Sequence, residues 1–279
     1  MSVRDKKPGY VLAFFPTLSL GVLFLIPFSI LASISVAHRI QGGFYEPGFT
    51  LASYGRFLSP FFGNILLNSV MLAALASVLA VAIAFPFTYL LVRQKRSWQV
   101  PLLVLILAVL SLSEVIIGFS WSTLLSRTAG ISNLFVAIGL MEKARSWVPG
   151  LPAVLAGLTY ISLPYATLVL YPALSRLDPE LTEAARTMGA SPLRAFFNVV
   201  VPAARKPIVA CLIMAFVYTL GSYLIPSLLG RPKHWTITVH ITDQAIYQSN
   251  LPFGAAMAVF LLVTALILVG VTQRMVGGR

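Results

Sequence analysis

Charge is the property that this sequence has least of. Of its 279 residues, 58% are hydrophobic and only 10% are charged, whereas a soluble globular domain carries about 25% charged residues. Acidic side chains are the scarcest, with 8 Asp and Glu against 20 Lys and Arg. The shortage is too large for a soluble protein of this length, and it indicates a chain that folds in a lipid bilayer.

Several kinds of site chemistry are excluded by missing residues. Cys211 is the single cysteine, so an intrachain disulfide and a thiolate metal site are both excluded. The histidines, His38, His234 and His240, show no spacing typical of metal ligands. No Gly-x-x-x-x-Gly-Lys-Ser/Thr loop occurs, which excludes nucleotide binding of the P-loop kind. We therefore expect no metal, no cofactor bound by this chain and no catalytic residues.

Long runs without charge locate the predicted membrane spans. A helix that crosses a bilayer needs about 20 apolar residues, and the runs can hold six such helices. The first run is longer than the roughly 7–15 residues of a signal-peptide core, so we keep it as a span. The fold class predicted is an all-α membrane protein with six transmembrane helices, at residues 11–36, 64–92, 100–124, 151–174, 207–228 and 253–273.

The net charge of +12 reflects topology rather than nucleic-acid binding. Thirteen cations fall in the loops and ends on one side of the predicted bundle, and seven fall on the other. The positive-inside rule then places both termini in the cytoplasm. The cytoplasmic set is Arg4, Lys6, Lys7, Arg93, Lys95, Arg96, Arg176, Arg186, Arg194, Arg205, Lys206, Arg274 and Arg279.

The cytoplasmic loop between predicted spans four and five, residues 175–206, carries signals for two short helices. Asp178 can cap a helix that has Pro179 in its first turn, and Gly189 fits the left-handed position that ends it. Ser191 and Pro192 repeat the start signal for a second helix over 193–201. The pattern predicts a helix, a sharp turn and another helix.

The middle of the first predicted helix suits a protein partner. Ala184 and Ala185 keep one surface of the helix thin, so that another protein can approach closely. Glu183 offers a charge to that partner. On the local pattern alone, an ordinary surface hairpin with well-made caps remains the alternative interpretation.

The full spacing of this loop resembles the signature of binding-protein-dependent ABC importer permeases. That signature runs Glu-Ala-Ala, three residues, Gly, nine residues, Ile, one residue and Leu-Pro. Here Glu183, Ala184, Ala185, Gly189 and Pro202 match it, with Val199 and Val201 in place of Ile and Leu. Residues 157–172, 177–191, 226–230 and 251–256, together with 54–69, are similar to permeases of the spermidine/putrescine type.

The resemblance implies a type I importer permease fold, with an N-terminal helix and periplasmic loop (1–63), a permease core (64–273) and a cytoplasmic tail (274–279). It also implies the partners. They are an ABC ATPase dimer that holds ATP and Mg²⁺ and binds Asp178, Glu183, Ala184, Ala185, Gly189 and Pro202, a second and different permease subunit, and a periplasmic binding protein. The chain is then a multi-pass protein of the bacterial inner membrane and not an enzyme.

Glu114 is the one carboxylate inside a predicted span. A charge at the bilayer centre costs about 2.5–3.5 kcal/mol on insertion scales, so this side chain should face the bundle interior or a watery cavity. It is a candidate counter-charge for a cationic substrate, and a structural hydrogen bond or a wet position near the periplasm are the alternatives. Aromatic residues in the spans complete a tentative substrate path, with packing as their alternative role: Trp121, Tyr160, Tyr165, Tyr218 and Tyr223.

The substrate class follows from the resemblance and stays broad. The family implies a small polar solute such as a polyamine, an opine or a related amino-acid derivative. Spermidine/putrescine permeases often carry an Arg where this chain has Ile117, and residues 113–118 look more like the partner permease of such a system. Two other functions remain open from the residues: a secondary transporter or channel without an ATPase, and an intramembrane enzyme, which would need paired polar residues beyond Glu114.

Overall fold

The chain is almost entirely helical in a computed structural model, which describes residues 8–40, 43–128 and 130–277. Four of the predicted cytoplasmic cations lie outside the described residues: Arg4, Lys6, Lys7 and Arg279. Within the described part, the sole β pairing is an isolated bridge between His38 and Glu46. The helices are α1 (Pro8–Ser35), α2 (Ala52–Phe57), α3 (Pro60–Val92), α4 (Arg96–Leu110), α5 (Glu114–Leu124), α6 (Ile131–Ala137), α7 (Leu151–Leu174), α8 (Glu180–Thr187), α9 (Pro192–Ala195), α10 (Val201–Ala203), α11 (Arg205–Leu220), α12 (Leu224–Leu229), α13 (Ile237–Thr242) and α14 (Leu251–Gly277).

The apolar helices fit the predicted all-α membrane fold. In the described part of the chain, four helices are long and apolar enough to cross a bilayer, namely residues 16–35 of α1, α3, α7 and α14. Two further spans arise if each of two bent helix pairs counts as one, which gives up to six. The placement of both termini in the cytoplasm stays a prediction.

The third predicted span, 100–124, is wrong as one continuous helix. The chain forms α4 and α5, which meet at an angle of 92°. Ser113 fixes where the second helix begins, because its side chain satisfies a free backbone amide of the first turn. Ser113 Oγ caps α5 by accepting from the Val115 amide at 3.3 Å.

The fifth predicted span, 207–228, also ends earlier than expected. α11 stops at Leu220, and the next residues form the separate helix α12. Pro226 has no amide hydrogen to donate to the carbonyl of Ser222, four residues before it. That carbonyl instead accepts from Thr238 Oγ1 at 3.0 Å. A side chain from the next segment therefore satisfies the freed backbone group at the break.

The chain folds as two compact units, Met1–Gly63 with His240–Val263 and Asn64–Val239 with Thr264–Arg279. Aromatic rings hold the first unit together. Phe57 stacks on Phe260 with ring centroids 4.3 Å apart, and Phe62 meets Phe253 edge to face at 4.9 Å. The guanidinium of Arg56 lies 4.5 Å from the centre of the Phe253 ring.

The second unit is built around α7. This helix has buried residues around much of its circumference, which is typical of a helix in the centre of a membrane bundle. Many of the buried positions in its surroundings are small, including Ala84 of α3, Ala166 of α7 and Ala215 of α11. Small side chains let helix backbones approach closely where lipid provides no hydrophobic driving force between helices.

α12 packs between α5 and α7 at two glycines. A Cβ atom built on Gly157 of α7 would lie 2.7 Å from Ile225 Cγ2 and 2.8 Å from Leu229 Cδ1. One built on Gly118 of α5 would lie 2.6 Å from Leu228 Cδ1. The absence of a side chain at Gly157 therefore lets α12 lie this close to α7, whereas a Cβ at Gly118 would require the end of the Leu228 side chain to move.

We expect Gly157→Val to destabilise the second unit, because overpacking of a filled interior costs about 1–3 kcal/mol. Gly270→Val is the matched control, since a Cβ at Gly270 meets nothing within 4 Å. Thermal unfolding in detergent measures the difference. Equal stability of the two variants would show that α12 is not closely packed on α7.

Candidate coupling hairpin and substrate path

The segment from Asp178 to Ala203, here called the coupling hairpin, has the predicted helix, turn and helix. Asp178 Oδ1 accepts a hydrogen bond from the Glu180 amide at 2.9 Å, and α8 then runs from Glu180 to Thr187. Ser191 Oγ caps α9 by accepting from the Arg194 amide at 3.3 Å. The second helix continues through a π-helical stretch, Phe196–Val200, into α10.

The sharp turn of the hairpin depends on Gly189. Its φ angle is +89°, in the region that side chains with a Cβ rarely adopt. Two backbone bonds close the turn, from the Gly189 amide to the Arg186 carbonyl at 3.0 Å and from the Ala190 amide to the Ala185 carbonyl at 3.0 Å. This pair of bonds is the Schellman motif that ends many helices.

The structure separates the two alanines that were predicted to share one thin surface. Ala184 is exposed beside exposed Glu183, whereas Ala185 is only 7% exposed and Thr182 only 6%. Ala185 packs inward and Glu183 and Ala184 stay exposed, because adjacent helical residues point about 100° apart. The contact of these three residues with the partner stays a prediction.

Exposed apolar side chains on the hairpin were not among the predicted site residues. Met188 is 83% exposed, Leu193 is 72% exposed and Phe197 is 62% exposed. Large apolar residues in an otherwise polar loop are the sequence signal that would have found them. Asp178 and Pro202 are also exposed, so the hairpin offers both charged and apolar groups.

Three of the predicted path residues come together at the break between α4 and α5. Glu114 is the first residue of α5, and its carboxylate lies close enough to the Tyr218 hydroxyl of α11 for the two groups to interact electrostatically. The Tyr218 ring stacks on the Tyr165 ring of α7, with centroids 5.1 Å apart and planes 14° apart. All three side chains are half-buried.

Trp121 and Tyr160 form a second aromatic pair, with ring centroids 5.6 Å apart. Both pack against the apolar cluster that contains Ile117 and Leu158. Ile117 is only 7% exposed, so the position where relatives often carry an Arg faces the protein interior. Tyr223, the remaining predicted path residue, precedes α12 and is half-buried.

The histidines lie in separate elements of the chain. His234 ends a short 3₁₀ turn, Pro232–His234, where burial and the neighbouring cations Lys233 and Arg231 lower its pKa. Among the described residues, no group of three or more His, Cys, Asp and Glu side chains is placed to hold a metal ion.

Comparison with protein families gives a match over most of the chain. Residues 48–278 match the family described as the binding-protein-dependent transport system inner membrane component. The chain belongs to this family. It is therefore a membrane permease component of such a system. Family membership decides against the two alternatives left open by the residues, a secondary transporter and an intramembrane enzyme.

Curated relatives of this permease span nearly its whole length. It is 28% identical over 243 residues to the spermidine/putrescine transport system permease protein PotB of Escherichia coli, covering 87% of this chain and 88% of the relative. The Haemophilus influenzae PotB is 26% identical over 250 residues, covering 90% and 87%. The E. coli inner membrane ABC transporter permease protein YdcU is 29% identical over 277 residues, covering 89% and 88%.

Solved structures support the same fold. A bacterial ABC transporter involved in import of the acidic polysaccharide alginate has a chain that matches with a TM-score of 0.75 at 18% identity, covering 98% of this permease and 96% of that chain. A chain of the MetNI methionine ABC transporter in an inward-facing conformation matches with a TM-score of 0.57 at 16% identity, covering 79% and 99%.

We expect Gly189→Val to loosen the hairpin turn. A left-handed conformation costs a residue with a Cβ about 1–2 kcal/mol. This cost corresponds to roughly 5- to 30-fold faster amide hydrogen exchange at the turn. Hydrogen exchange at the amides of residues 189 and 190 measures it. Gly189→Asn is the control, since Asn tolerates this conformation and a Cβ there meets nothing within 4 Å. Wild-type exchange in the Val variant would contradict the assignment.

Proposed function

We propose that this permease forms the translocation path of an ABC importer for a small cationic solute. Separate ATPase subunits bind its coupling hairpin and supply the energy, and ATP and Mg²⁺ are held by those subunits. A second, different permease subunit completes the path, and a periplasmic binding protein delivers the substrate. The observation that carries the proposal is the coupling hairpin, together with the absence of a P-loop from the sequence.

The hairpin has the properties expected of a docking element. It projects Glu183 and Ala184 from α8 and large apolar side chains from both helices, while Ala185 fastens α8 to the protein. A surface that combines a charge with exposed Met and Phe is typical of a protein interface.

Known relatives support the proposed partners. PotB and YdcU are named as permeases of transport systems, and the alginate transporter was solved together with a periplasmic protein that carries an alginate pentasaccharide. Closure of the ATPase dimer would move the hairpin and switch the membrane helices between inward-open and outward-open states. Such a switch is a two-state equilibrium that nucleotide contacts elsewhere bias.

The Glu114 cluster supports a cationic substrate. Broken membrane helices occur where the backbone lines a substrate cavity, and Glu114 lies at such a break. Its carboxylate can pair with an ammonium group, and the Tyr165 and Tyr218 rings can receive the same group by a cation–π contact. The relatives named for spermidine and putrescine make polyamines the first substrates to test, followed by opines and other amino-acid derivatives.

The coupling role predicts that Glu183→Lys, or Ala184→Trp, abolishes uptake although the protein still inserts in the membrane. Reversal of the charge, or a bulky ring, should prevent the ATPase from binding α8. Uptake and ATPase copurification in mild detergent are measured together. Glu142→Lys is the control, because it makes the same charge change at an exposed loop residue. Normal uptake by both hairpin variants would remove the docking role.

The substrate role predicts that Glu114→Gln lowers kcat/KM for spermidine uptake by roughly tenfold or more, since a hydrogen bond to a charged group contributes about 1.5–3 kcal/mol. If Glu114 serves only its interaction with Tyr218, Tyr218→Phe should have the same effect as Glu114→Gln, and both should lower thermal stability. Ser120→Ala, at an exposed position of α5, is the control. An unchanged kcat/KM in Glu114→Gln would contradict a substrate contact.

A further inference from the structure

A side-chain contact joins the coupling hairpin to the end of α3. Arg93, directly after α3, donates from Nη2 to Thr182 Oγ1 of α8 at 3.0 Å. Thr182 is one of the two residues of α8 that are turned inward and buried. The guanidinium of Arg93 also lies 4.1 Å from the centre of the Tyr89 ring, one turn earlier in α3. The guanidinium of Arg93 thus contacts both α3, a membrane helix, and α8 of the coupling hairpin.

Aromatic rings join the second half of the hairpin to the same helix. Phe196, which begins the π-helical stretch, meets Tyr89 at a centroid distance of 5.1 Å and Phe85 at 5.6 Å. Tyr89 therefore lies between Arg93 and Phe196. Both helices of the hairpin therefore contact one face of α3, through Phe85, Tyr89 and, directly after the helix, Arg93.

The turn that carries Arg93 is itself fixed by Gln99 of α4. Gln99 Nε2 donates to the Val92 carbonyl at 3.0 Å and to the Gln94 carbonyl at 2.7 Å. Its Oε1 accepts from the Tyr171 hydroxyl of α7 at 2.9 Å. The Gln99 side chain therefore bonds the residues directly before and after Arg93, and it also connects this turn to α7. The position of Arg93 is set by three helices rather than by a free loop.

We propose that Arg93 is a positioning residue that makes the coupling hairpin and α3 move as one body. The inference rests on the proposed function, because it assigns the point where displacement of the hairpin enters the membrane helices. A planar guanidinium suits the task, since it can stack on Tyr89 and donate to Thr182 at the same time. A lysine ammonium has no planar face to stack on the ring.

The route continues toward the substrate cluster. α4 begins at Arg96 and leads to the break at residues 111–113, after which Glu114 opens α5. A displacement of the 93–95 turn therefore acts on the helix that ends at the Glu114 cluster.

The test compares Arg93→Ala, Arg93→Lys and Thr182→Val in the assembled transporter, reconstituted in vesicles with its ATPase and binding protein. We expect uptake per ATP hydrolysed to fall by roughly 2- to 30-fold in Arg93→Ala, the range that mutations within coupling networks produce. Thr182→Val should share the loss, and the double variant should be no worse than the more impaired single variant. Arg93→Lys should restore little.

Arg96→Ala is the matched control, since it removes an exposed cation three residues away. A merely structural role for Arg93 would lower uptake and ATP hydrolysis together and leave their ratio unchanged. That outcome, or additive losses in the double variant, would overturn the proposal. If the wild-type chain retains no ATPase at all, the proposed function itself fails, which is a separate result.

Discussion

The left-handed backbone of Gly189 is the constraint on which the coupling hairpin depends. It ends α8 after two turns and reverses the chain, so that α9 and the π-helical stretch return along the protein. The reversal places Thr182 and Ala185 against the bundle and leaves Glu183 and Ala184 outside. One residue without a Cβ thus decides which side chains a partner meets and which side chains fasten the hairpin to α3.

The need to satisfy backbone groups governs the two helix breaks, between α4 and α5 and between α11 and α12. A straight helix through residues 96–124 or 205–229 would satisfy all but its last four carbonyls internally, but the chain breaks at residues 111–113 in the first and before Pro226 in the second. A side chain then stabilises each break: Ser113 caps α5, and Thr238 of α13 bonds the Ser222 carbonyl that follows α11. The same breaks leave Glu114 of α5 and Tyr218 of α11 free to meet, which a pair of uninterrupted helices would not ensure.

Much of this arrangement follows from the sequence. Absence of charge predicts the long helices, and Asp178, Gly189 and Ser191 predict the hairpin, because caps and left-handed turns depend on one or two residues. The break at 111–113 was not predicted, since an apolar run has the same composition whether or not it bends, whereas Pro226 marks an interruption of the run near 221–223 in the sequence itself. The contact between Arg93 and Thr182 was not predicted either, because the two residues lie far apart in the chain and nothing local joins them.

The central claim is that a separate ATPase drives transport through this permease. The most direct measurement is uptake of radiolabelled spermidine by vesicles that contain the two permease subunits and an excess of binding protein, with and without the ATPase subunits and ATP. The account predicts uptake only when both ATPase and ATP are present. Uptake by the permease pair alone, driven by a proton gradient, would contradict it.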